Sequence, residues 1–521
     1  MIKKYWKDTL AILVLIISIV SVFWWVPYVY FQQDEWFSIG QSLLARTDPW
    51  VYVRVINSIH FSPVAQFWFA SQYAFFGLHA TDYGFVSLVS HILVIVLAYT
   101  LLRMLSIRVL PAFIGLAFIA LNPVSAQVVS WISASEFAGP SVILFLSGCI
   151  LWIWNSPKKP RYADMVVGIL LFCSMLAKED LIIGYIGILF VWLVFTRRRP
   201  LSYKPILISF LLWLLVYSSI WVFGPKSDAS GNHRSLSASI SYVISIFRGM
   251  GKIILTHDTL RAVLQELSGR YLSYFPFIDN DPIIKTLSAT VGVLWYVWFF
   301  VTTLFKKMPF KRIIFFPGLL IISLLPYYFS YSTDLESRHY YVPVLIAGAG
   351  IAFYLDWAIR NKYRSVIIIS ILFFALLSVS YVIGNQPPKD YLPFQKKRET
   401  IVAEFQKLTT SSCSTVVYLV ENAGKLPFQS GVGQMLIVLQ ARNDTAFYPY
   451  MSANFLWGLF DQGFKKVGEK GFGYYYDVNV LEADFHKGLF DVSHIRAYRF
   501  NPDTSDFHDI TQEIVQDIMV Q

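Results

Sequence analysis

The chain has 521 residues, of which 56% are hydrophobic, 17% aromatic and only 15% charged, and its mean hydropathy is +0.52. This composition excludes an ordinary soluble domain and indicates a polytopic membrane protein. The formal net charge of +10 comes mostly from basic clusters between apolar runs. Such clusters suit anionic lipid headgroups, so the charge gives no reason to expect a nucleic-acid partner.

Apolar runs recur along the first three quarters of the chain, and about 20 such residues cross a hydrocarbon core about 30 Å thick. The first run, residues 10–29, is too long for the core of a signal peptide, so we expect a retained helix. The other predicted crossings are 83–102, 109–121, 137–154, 164–177, 181–196, 205–223, 287–305, 313–330, 341–358 and 365–384. The fold predicted for 1–384 is therefore all-α, with about eleven transmembrane helices.

The basic residues predict the orientation of these helices. Lys and Arg in short loops mark the cytoplasmic side of a membrane, and here they fall in alternate loops. The clusters are Lys3/Lys4/Lys7, Arg103/Arg108, Lys158/Lys159/Arg161, Arg197–Arg199, Lys306/Lys307/Lys311/Arg312 and Arg360/Lys362/Arg364. One orientation satisfies every cluster, with a cytoplasmic amino terminus and an extracytoplasmic region after residue 384.

Two adjacent carboxylates, Asp34 and Glu35, follow the first membrane helix in the sequence FQQDEWF (31–37). In the residues that follow, Trp36, Phe37, Ile39, Leu43 and Leu44 are spaced to form one apolar face, with Gln41, Ser42 and Arg46 on the other, which suggests a helix lying along the membrane surface. Burial among these aromatic residues would raise a carboxylate's pKa towards that of a general base. The alternative is a solvated helix end that tolerates any polar residue.

Other ionisable groups also fall at the predicted outer ends of helices, where their insertion cost makes each a functional candidate. They are Lys178-Glu179-Asp180, Arg338-His339 with Glu336 before them, and the histidines His60 and His91. A lysine and an arginine on this side suit a lipid phosphate. The alternatives are charges that pair with each other in a turn, an interfacial arginine anchor, and histidines with structural roles.

From residue 385 the composition becomes polar, and no membrane-length run follows. The segments 414–420, 446–451, 473–480 and 494–500 are predicted strands, and 431–440 is a predicted helix. We therefore expect 385–521 to form a separate extracytoplasmic domain, small and α/β or α+β. The sequence contains no Walker-A loop, no strand-linked G-x-G-x-x-G, no H-E-x-x-H and no G-x-S-x-G. An outer-face enzyme without a nucleotide site would draw an activated donor from the membrane itself.

The order of these motifs resembles that of the GT-C superfamily of membrane glycosyltransferases, most closely the protein O-mannosyltransferases and the tetratricopeptide-bearing transmembrane mannosyltransferases. The matching elements are Asp34-Glu35, HFSP (60–63), GLH (77–79) through His91, NPVSAQVVSWIS (122–133), AKED (177–180) and RHYYVP (338–343). The resemblance covers about 1–384. Ala177 and His339 replace a usual serine and tyrosine, Glu336 lies one place early, and the region after 384 has no tetratricopeptide helices.

The resemblance implies sugar transfer from a polyprenyl-phosphate-linked donor to a hydroxyl of a protein or glycan at the outer face, with inversion. Asp34 would be the general base, and Glu35 would orient it or share a divalent metal, Mg or Mn. Lys178, Arg338 and His339 would bind the donor phosphate. Glu179 would orient Lys178, His60 would touch donor or acceptor, and His91 would support the site.

Three alternatives stay open at this point. A polymerase or ligase of lipid-linked glycans would share the donor chemistry and accept a saccharide. A lipid or solute transporter would show Gly/Pro-broken half-helices and midplane charges related by an internal repeat, whereas the charges here gather at one face. The region 385–521 would alternatively bind a cell-envelope partner, with the membrane region as its platform.

Overall fold

The structure is a computed structural model. It describes residues 2–54, 61–155, 161–185, 187–188, 202–223, 249–254, 286–287, 289–291, 293–294, 297, 318–324, 337–385, 387, 391–409, 415–428, 431–452, 456 and 462–520.

Helices dominate the described part of the chain. Their bounds are α1 Ile2–Val22, α2 Asp34–Leu44, α3 Val51–Arg54, α4 Pro63–Phe76, α5 Ala80–Met104, α6 Val109–Ala120, α7 Pro123–Ser130, α8 Ile132–Asn155, α9 Arg161–Ala177, α10 Lys204–Phe223, α11 Tyr341–Arg360, α12 Arg364–Gly384, α13 Tyr391–Leu408, α14 Val432–Asn443, α15 Val478–His486 and α16 Thr511–Val520. The strands are β1 Thr415–Glu421, β2 Gly463–Val467, β3 Lys470–Tyr475, β4 Ile495–Asn501 and β5 Asp506–Asp509.

Within the described ranges, four helices are long and apolar enough to cross a membrane, and a bent pair would make a fifth span. The four are Trp6–Tyr28, Ala80–Met104, Ile132–Asn155 and Tyr341–Arg360. These apolar helices make the chain an integral membrane protein. The total of about eleven crossings is not confirmed, because the predicted crossings 181–196, 287–305 and 313–330 lie mostly outside the described residues.

The bent pair is α6 and α7, which meet at 59°. Pro123 at the start of α7 has no N–H to continue the helical ladder, and the Asn122 side chain caps the new helix by accepting from the Val124 amide at 3.0 Å. The segment 122–133, predicted as a link between helices, is therefore mostly helical. The sequence signal for this was the Asn-Pro pair, which is typical of a helix start.

Two glycines allow α6 and α11 to pack closely. A Cβ at Gly348 would collide with the Ile119 side chain and the Gly115 carbonyl, and a Cβ at Gly115 would collide with the Gly348 carbonyl. Small residues of this kind let membrane helices approach until their backbones touch. The contact matters for the candidate site because α11 begins directly after the Arg338-His339 turn.

The strands form one sheet with the order β2-β3-β1-β4-β5. The three central strands β3, β1 and β4 are parallel, and β2 and β5 add antiparallel edges. One face buries an apolar core with α15 and α16 that includes Val417, Leu419 and Ile514. The alternate side chain Tyr418 points to the other face, where its hydroxyl donates to Gln440 of α14 at 3.1 Å. The predicted α/β character of this region is thus observed.

Two of the predicted strands were wrong in detail. Residues 446–451 lie in a 3-10 helix, Thr445–Met451, which the Asp444 side chain caps by accepting from the Ala446 amide at 2.9 Å. The segment 473–480 is a strand only to Tyr475, because Asp477 caps α15 by accepting from the Asn479 amide at 3.0 Å. The aromatic residues of both segments led to the strand predictions, but the aspartate caps favour helices there.

The chain divides into two compact units. The first contains 1–26, 58–65 and 84–386, and the second contains 27–57, 66–83 and 387–521. The second unit therefore joins most of the first predicted outer loop to the region that carries the sheet. The predicted division into 1–384 and 385–521 stays a prediction.

Helix α2 packs inside the second unit rather than presenting its apolar face to a membrane. Its side chains Trp36, Ile39 and Leu43 are buried, and a Cβ at Gly40 would lie 2.9 Å from Leu456 and 3.2 Å from Val438 of α14. The prediction of an interfacial helix over this segment was therefore wrong, because its apolar face is already covered by protein. Exposed aromatic residues occur instead on α4, at Phe67, Trp68 and Phe75, a pattern typical of an interfacial helix.

We predict that Gly348→Ala lowers the stability of the membrane region by about 1–3 kcal/mol, because the added methyl group has no room between α6 and α11. The measurement is the midpoint of thermal unfolding in detergent. Gly168→Ala is the matched control, since the nearest atom to its Cβ, at 3.6 Å, is an ordinary contact. Equal midpoints for the two variants would contradict the close packing.

Candidate active site

The carboxylate pair lies in the first turn of α2. Asp34 and Glu35 are its first two residues, and the side chain of Gln33 before them makes no capping hydrogen bond among the described residues. Negative charge is favourable at this end of a helix because the backbone amides point outward there. The sequence order therefore places both carboxylates at the positive end of a helix dipole.

Glu35 is fully buried, and its Oε2 atom accepts hydrogen bonds from the amides of Gln32 and Gln33, each at 3.0 Å. These amides belong to the turn that leads into α2, so the carboxylate replaces the missing side-chain cap. Charge-assisted bonds of this type are about twice as strong as neutral ones. Glu35 thus fixes the backbone directly before Asp34.

Asp34 differs from its neighbour in exposure, because its side chain is only half-buried. One carboxylate of the pair is therefore enclosed by its own loop, and the other reaches the surface of the second unit. A group that accepts a proton from a substrate needs that access. Glu35 therefore holds the backbone of the turn, and Asp34 is the carboxylate that can reach a substrate.

Aromatic rings enclose the base of this loop. Phe31 is buried and packs edge-on against Trp36 at 5.5 Å and against Tyr83 at 5.3 Å between ring centroids. Tyr83 in turn donates its hydroxyl to the Gly77 carbonyl at 2.8 Å. The aromatic surroundings expected from FQQDEWF are therefore present, and they position the loop backbone rather than cover Asp34 completely.

Helix α13 also takes part in this environment, which the sequence did not indicate. Burial raises the pKa of Tyr391 to about 12 and lowers the pKa of Arg398 to about 10. Glu35 opposes the shift of Arg398, because its negative charge favours the cationic form of the guanidinium. Arg398 therefore remains cationic at neutral pH and interacts electrostatically with the enclosed carboxylate.

In the first unit, Lys178 directly follows α9. Its amide donates to the Ser174 carbonyl at 3.1 Å, and its side chain is half-buried. A cation is favourable at the carboxyl end of a helix. Glu179 begins the short 3-10 helix Glu179–Leu181, so the predicted Lys-Glu-Asp turn is a turn in the structure, with the lysine at the helix end.

The Arg338-His339 pair lies on the 3-10 helix Ser337–Tyr340, immediately before α11. His339 and Tyr340 are buried, whereas the Arg338 side chain lies outside the described part of the chain. Another cation lies beside this turn: the Lys252 ammonium lies 5.4 Å from the centre of the Tyr340 ring and is itself buried. Cation–π contact of this kind stabilises a lysine that has left bulk water.

The backbone that carries Lys252 is held by two side chains of the membrane helices. Asn122 donates to the Ile253 carbonyl at 2.8 Å, and the Tyr381 hydroxyl donates to the Ile254 carbonyl at 2.5 Å. The sequence predicts an outer loop over 224–286, in which the stretch 236–267 with Lys252 is expected to lie flat at the membrane, and it gives Lys252 no role in the site. The available signal was a single lysine within the apolar stretch Met250–Leu255, where an uncompensated charge would be costly.

His91 has a structural position in the first unit. One ring nitrogen lies 2.9 Å from the Tyr341 hydroxyl and the other 3.2 Å from the Ala120 carbonyl. It therefore ties α5 to α6 and to the first residue of α11, next to the His339 turn. His60, the remaining predicted site residue, lies outside the described residues.

A divalent metal does not fit the described residues well. No group of three or more His, Cys, Asp or Glu side chains with metal-binding geometry occurs among them. Glu35, one of two candidate ligands, already uses one oxygen for two amide hydrogens. We therefore derive no step through a metal.

Comparison with solved structures finds similar backbones at low sequence identity. A crystal structure of ArnT from Cupriavidus metallidurans bound to undecaprenyl phosphate is 13% identical, with a TM-score of 0.47, and the match covers 96% of this chain and 94% of ArnT. The Archaeoglobus fulgidus oligosaccharyltransferase tethered with an acceptor peptide is 11% identical, with a TM-score of 0.45 and 84% of this chain covered. The chain spans 63% of that oligosaccharyltransferase.

A further structure of the archaeal oligosaccharyltransferase, in complex with zinc and sulfate, is 11% identical with a TM-score of 0.44. Both proteins are glycosyltransferases of the GT-C superfamily, the superfamily that the sequence motifs resemble. No family model and no curated protein matches the chain. The similarity concerns the course of the backbone and assigns no role to any residue.

We predict that Glu35→Ala loosens the turn before α2, because two buried amides lose their acceptor at about 1–3 kcal/mol each. Hydrogen exchange of peptides covering 30–44 should accelerate. Asp82→Ala is the matched control, since Asp82 also lies in the first turn of a helix and in the second unit but is exposed. Unchanged exchange in Glu35→Ala would show that the carboxylate does not hold this turn.

Proposed function

We propose that the chain is a membrane glycosyltransferase that transfers a sugar from a polyprenyl-phosphate-linked donor to a hydroxyl of a protein or glycan acceptor. The reaction takes place at the outer membrane face and inverts the anomeric carbon. The observation that carries the proposal is the difference between the two carboxylates. Glu35 is buried and accepts hydrogen bonds from backbone amides, whereas Asp34 is half-buried at the helix end. Half-buried Lys178 at the end of α9 and buried Lys252 beside Tyr340 add cations that a phosphate needs.

In this proposal Asp34 is the general base. The acceptor oxygen forms a bond to the anomeric carbon of the donor sugar, and the bond from that carbon to the phosphate oxygen breaks. The electron pair leaves with the polyprenyl phosphate, and the hydroxyl proton passes to Asp34. Glu35 keeps Asp34 oriented through its bonds to the preceding backbone, so the carboxylate is in place before the acceptor arrives.

The cations of the first unit bind the donor in this proposal. Lys178 and Arg338 neutralise the phosphate as negative charge develops on it, which is electrostatic catalysis. His339 and Lys252 join them, Glu179 orients Lys178, and His60 touches donor or acceptor. Since Tyr340 and the anchored backbone hold Lys252, it can meet a phosphate without first losing much side-chain freedom.

We predict that Asp34→Asn lowers kcat by about 10²- to 10⁴-fold, since the amide cannot take the acceptor proton. The measurement is transfer from radiolabelled polyprenyl-phosphate sugars by full-length protein in membranes. Asp82→Asn is the control and should keep the parent rate. Transfer by Asp34→Asn at the parent's rate would exclude Asp34 as the base, and movement of donor without a new glycosidic bond would instead favour a transporter.

We predict that Lys252→Met raises the KM for the donor roughly tenfold, because a charge-assisted bond to phosphate contributes about 1.5–3 kcal/mol. The same transfer assay over a range of donor concentrations measures it. Lys204→Met, at the exposed start of α10, should leave KM unchanged. An unchanged donor KM in Lys252→Met would remove Lys252 from the phosphate-binding group.

A further inference from the structure

The turn that carries the proposed base is held by residues more than 350 positions later in the chain. The Tyr30 amide donates to Oε1 of Gln395 at 3.0 Å, and Arg398 donates to the same oxygen at 3.1 Å. Arg398 also donates through Nε to the Pro427 carbonyl. One buried amide oxygen thus joins the backbone before Asp34 to a guanidinium that is itself anchored.

Arg398 is enclosed by the second unit. Only 6% of its surface is exposed, and its guanidinium lies 4.7 Å from the centre of the Phe394 ring. A buried guanidinium needs a compensating negative charge. The negative charge of Glu35 favours the cationic form of Arg398. Removing one member of such a buried set leaves the other uncompensated, which is strongly unfavourable.

The start of α14 approaches the same turn from another element. Gly431, at φ +87°, precedes α14, and a Cβ there would lie 3.7 Å from Gln33. The positive end of the α14 dipole therefore adds to the charge of Arg398 beside the loop that Glu35 closes. Two elements of the sheet-bearing region, α13 and the start of α14, therefore approach residues 30–33, and the Pro427 carbonyl anchors Arg398 of α13.

We infer that Arg398 is a positioning residue for sugar transfer, which holds residues 30–33 through Gln395 and through the charge of Glu35 and so presents Asp34 to the acceptor. This inference rests on the proposed function of Asp34 as the base. It assigns to 391–443 a part in the reaction, although the sequence motifs all lie before residue 384. Arg398 acts through the loop, and no contact with donor or acceptor is assigned to it.

The test uses full-length protein with Arg398→Met, Arg398→Lys and the matched control Arg499→Met. Arg499 pairs with Glu421 at 2.6 Å and with Glu513 at 3.0 Å in the same unit, so its loss reports a general weakening. Two readouts are combined: hydrogen exchange of peptides covering 30–36, and kcat with donor KM from the transfer assay. The exchange readout does not depend on activity.

In Arg398→Met we expect exchange at the Gln32 and Gln33 amides to rise about tenfold or more and kcat to fall about 100-fold. Donor KM should stay at the parent value, because the phosphate-binding groups proposed above do not include this loop. Arg398→Lys keeps the charge but not both hydrogen bonds, so it should recover part of kcat. In an Asp34→Asn background, Arg398→Met should lower kcat no further, since both changes then act on one group.

Unchanged exchange in Arg398→Met, or raised exchange with an unchanged kcat, would overturn the inference. An equal loss in Arg499→Met would overturn it too, because the effect would then be general. If Arg398→Met protein cannot be recovered, Gln395→Met decides the question by the same criteria, since it removes the Tyr30 acceptor and leaves the cation. If the parent transfers no sugar while exchange rises only in the Arg398 variants, the holding role is supported and the proposed function fails.

Discussion

The arrangement of the candidate site depends on one buried carboxylate that accepts hydrogen bonds from two backbone amides. Glu35 has no exposure to solvent, and its bonds to Gln32 and Gln33 stand in for the cap that α2 lacks. A buried charge is tolerated only when it is compensated, and here the amides, the helix dipole and Arg398 supply that compensation. The half-buried neighbour Asp34 is oriented by a backbone fixed in this way.

The cationic groups of the first unit follow the same physical rule with the opposite sign. Lys178 lies at the negative end of α9, and Lys252 lies against the Tyr340 ring on a backbone held by Asn122 and Tyr381. Each cation is thus stabilised by the protein before any phosphate arrives. Groups held in advance need little reorganisation during the reaction, which is the main source of electrostatic catalysis.

Much of the helical framework could be predicted from the sequence, because membrane-length apolar runs and basic clusters are strong signals. The runs 83–102, 137–154 and 341–358 lie within α5, α8 and α11. The carboxylate pair and the Lys178 turn could also be selected as candidates from the sequence, since ionisable groups are rare at membrane depth. The local motif FQQDEWF did not reveal that Glu35 is enclosed and Asp34 half-buried, because that difference comes from packing.

Contacts distant in sequence were not predictable. Gln395 and Arg398 show no motif, and their link to Tyr30 exists only because α13 packs against the segment that follows the first membrane helix. The apolar residues of α2 looked like a membrane-facing stripe because the sequence does not say what covers them. In the sheet-bearing region, Asp444 caps a 3-10 helix where a strand was predicted, and Asp477 caps α15 where a predicted strand would have continued. This local capping outweighed the strand propensity of the aromatic residues.

The second unit is assembled from three separate stretches of the chain, 27–57, 66–83 and 387–521. At translation rates of about 5–20 residues per second, the ribosome needs roughly tens of seconds to reach α13 after it has made α2. During that interval the turn at residues 30–33 of the nascent chain has neither Gln395 nor Arg398 to hold it. The surroundings of Asp34 and Glu35 can therefore be completed only late in biosynthesis, after most of the membrane helices have been inserted.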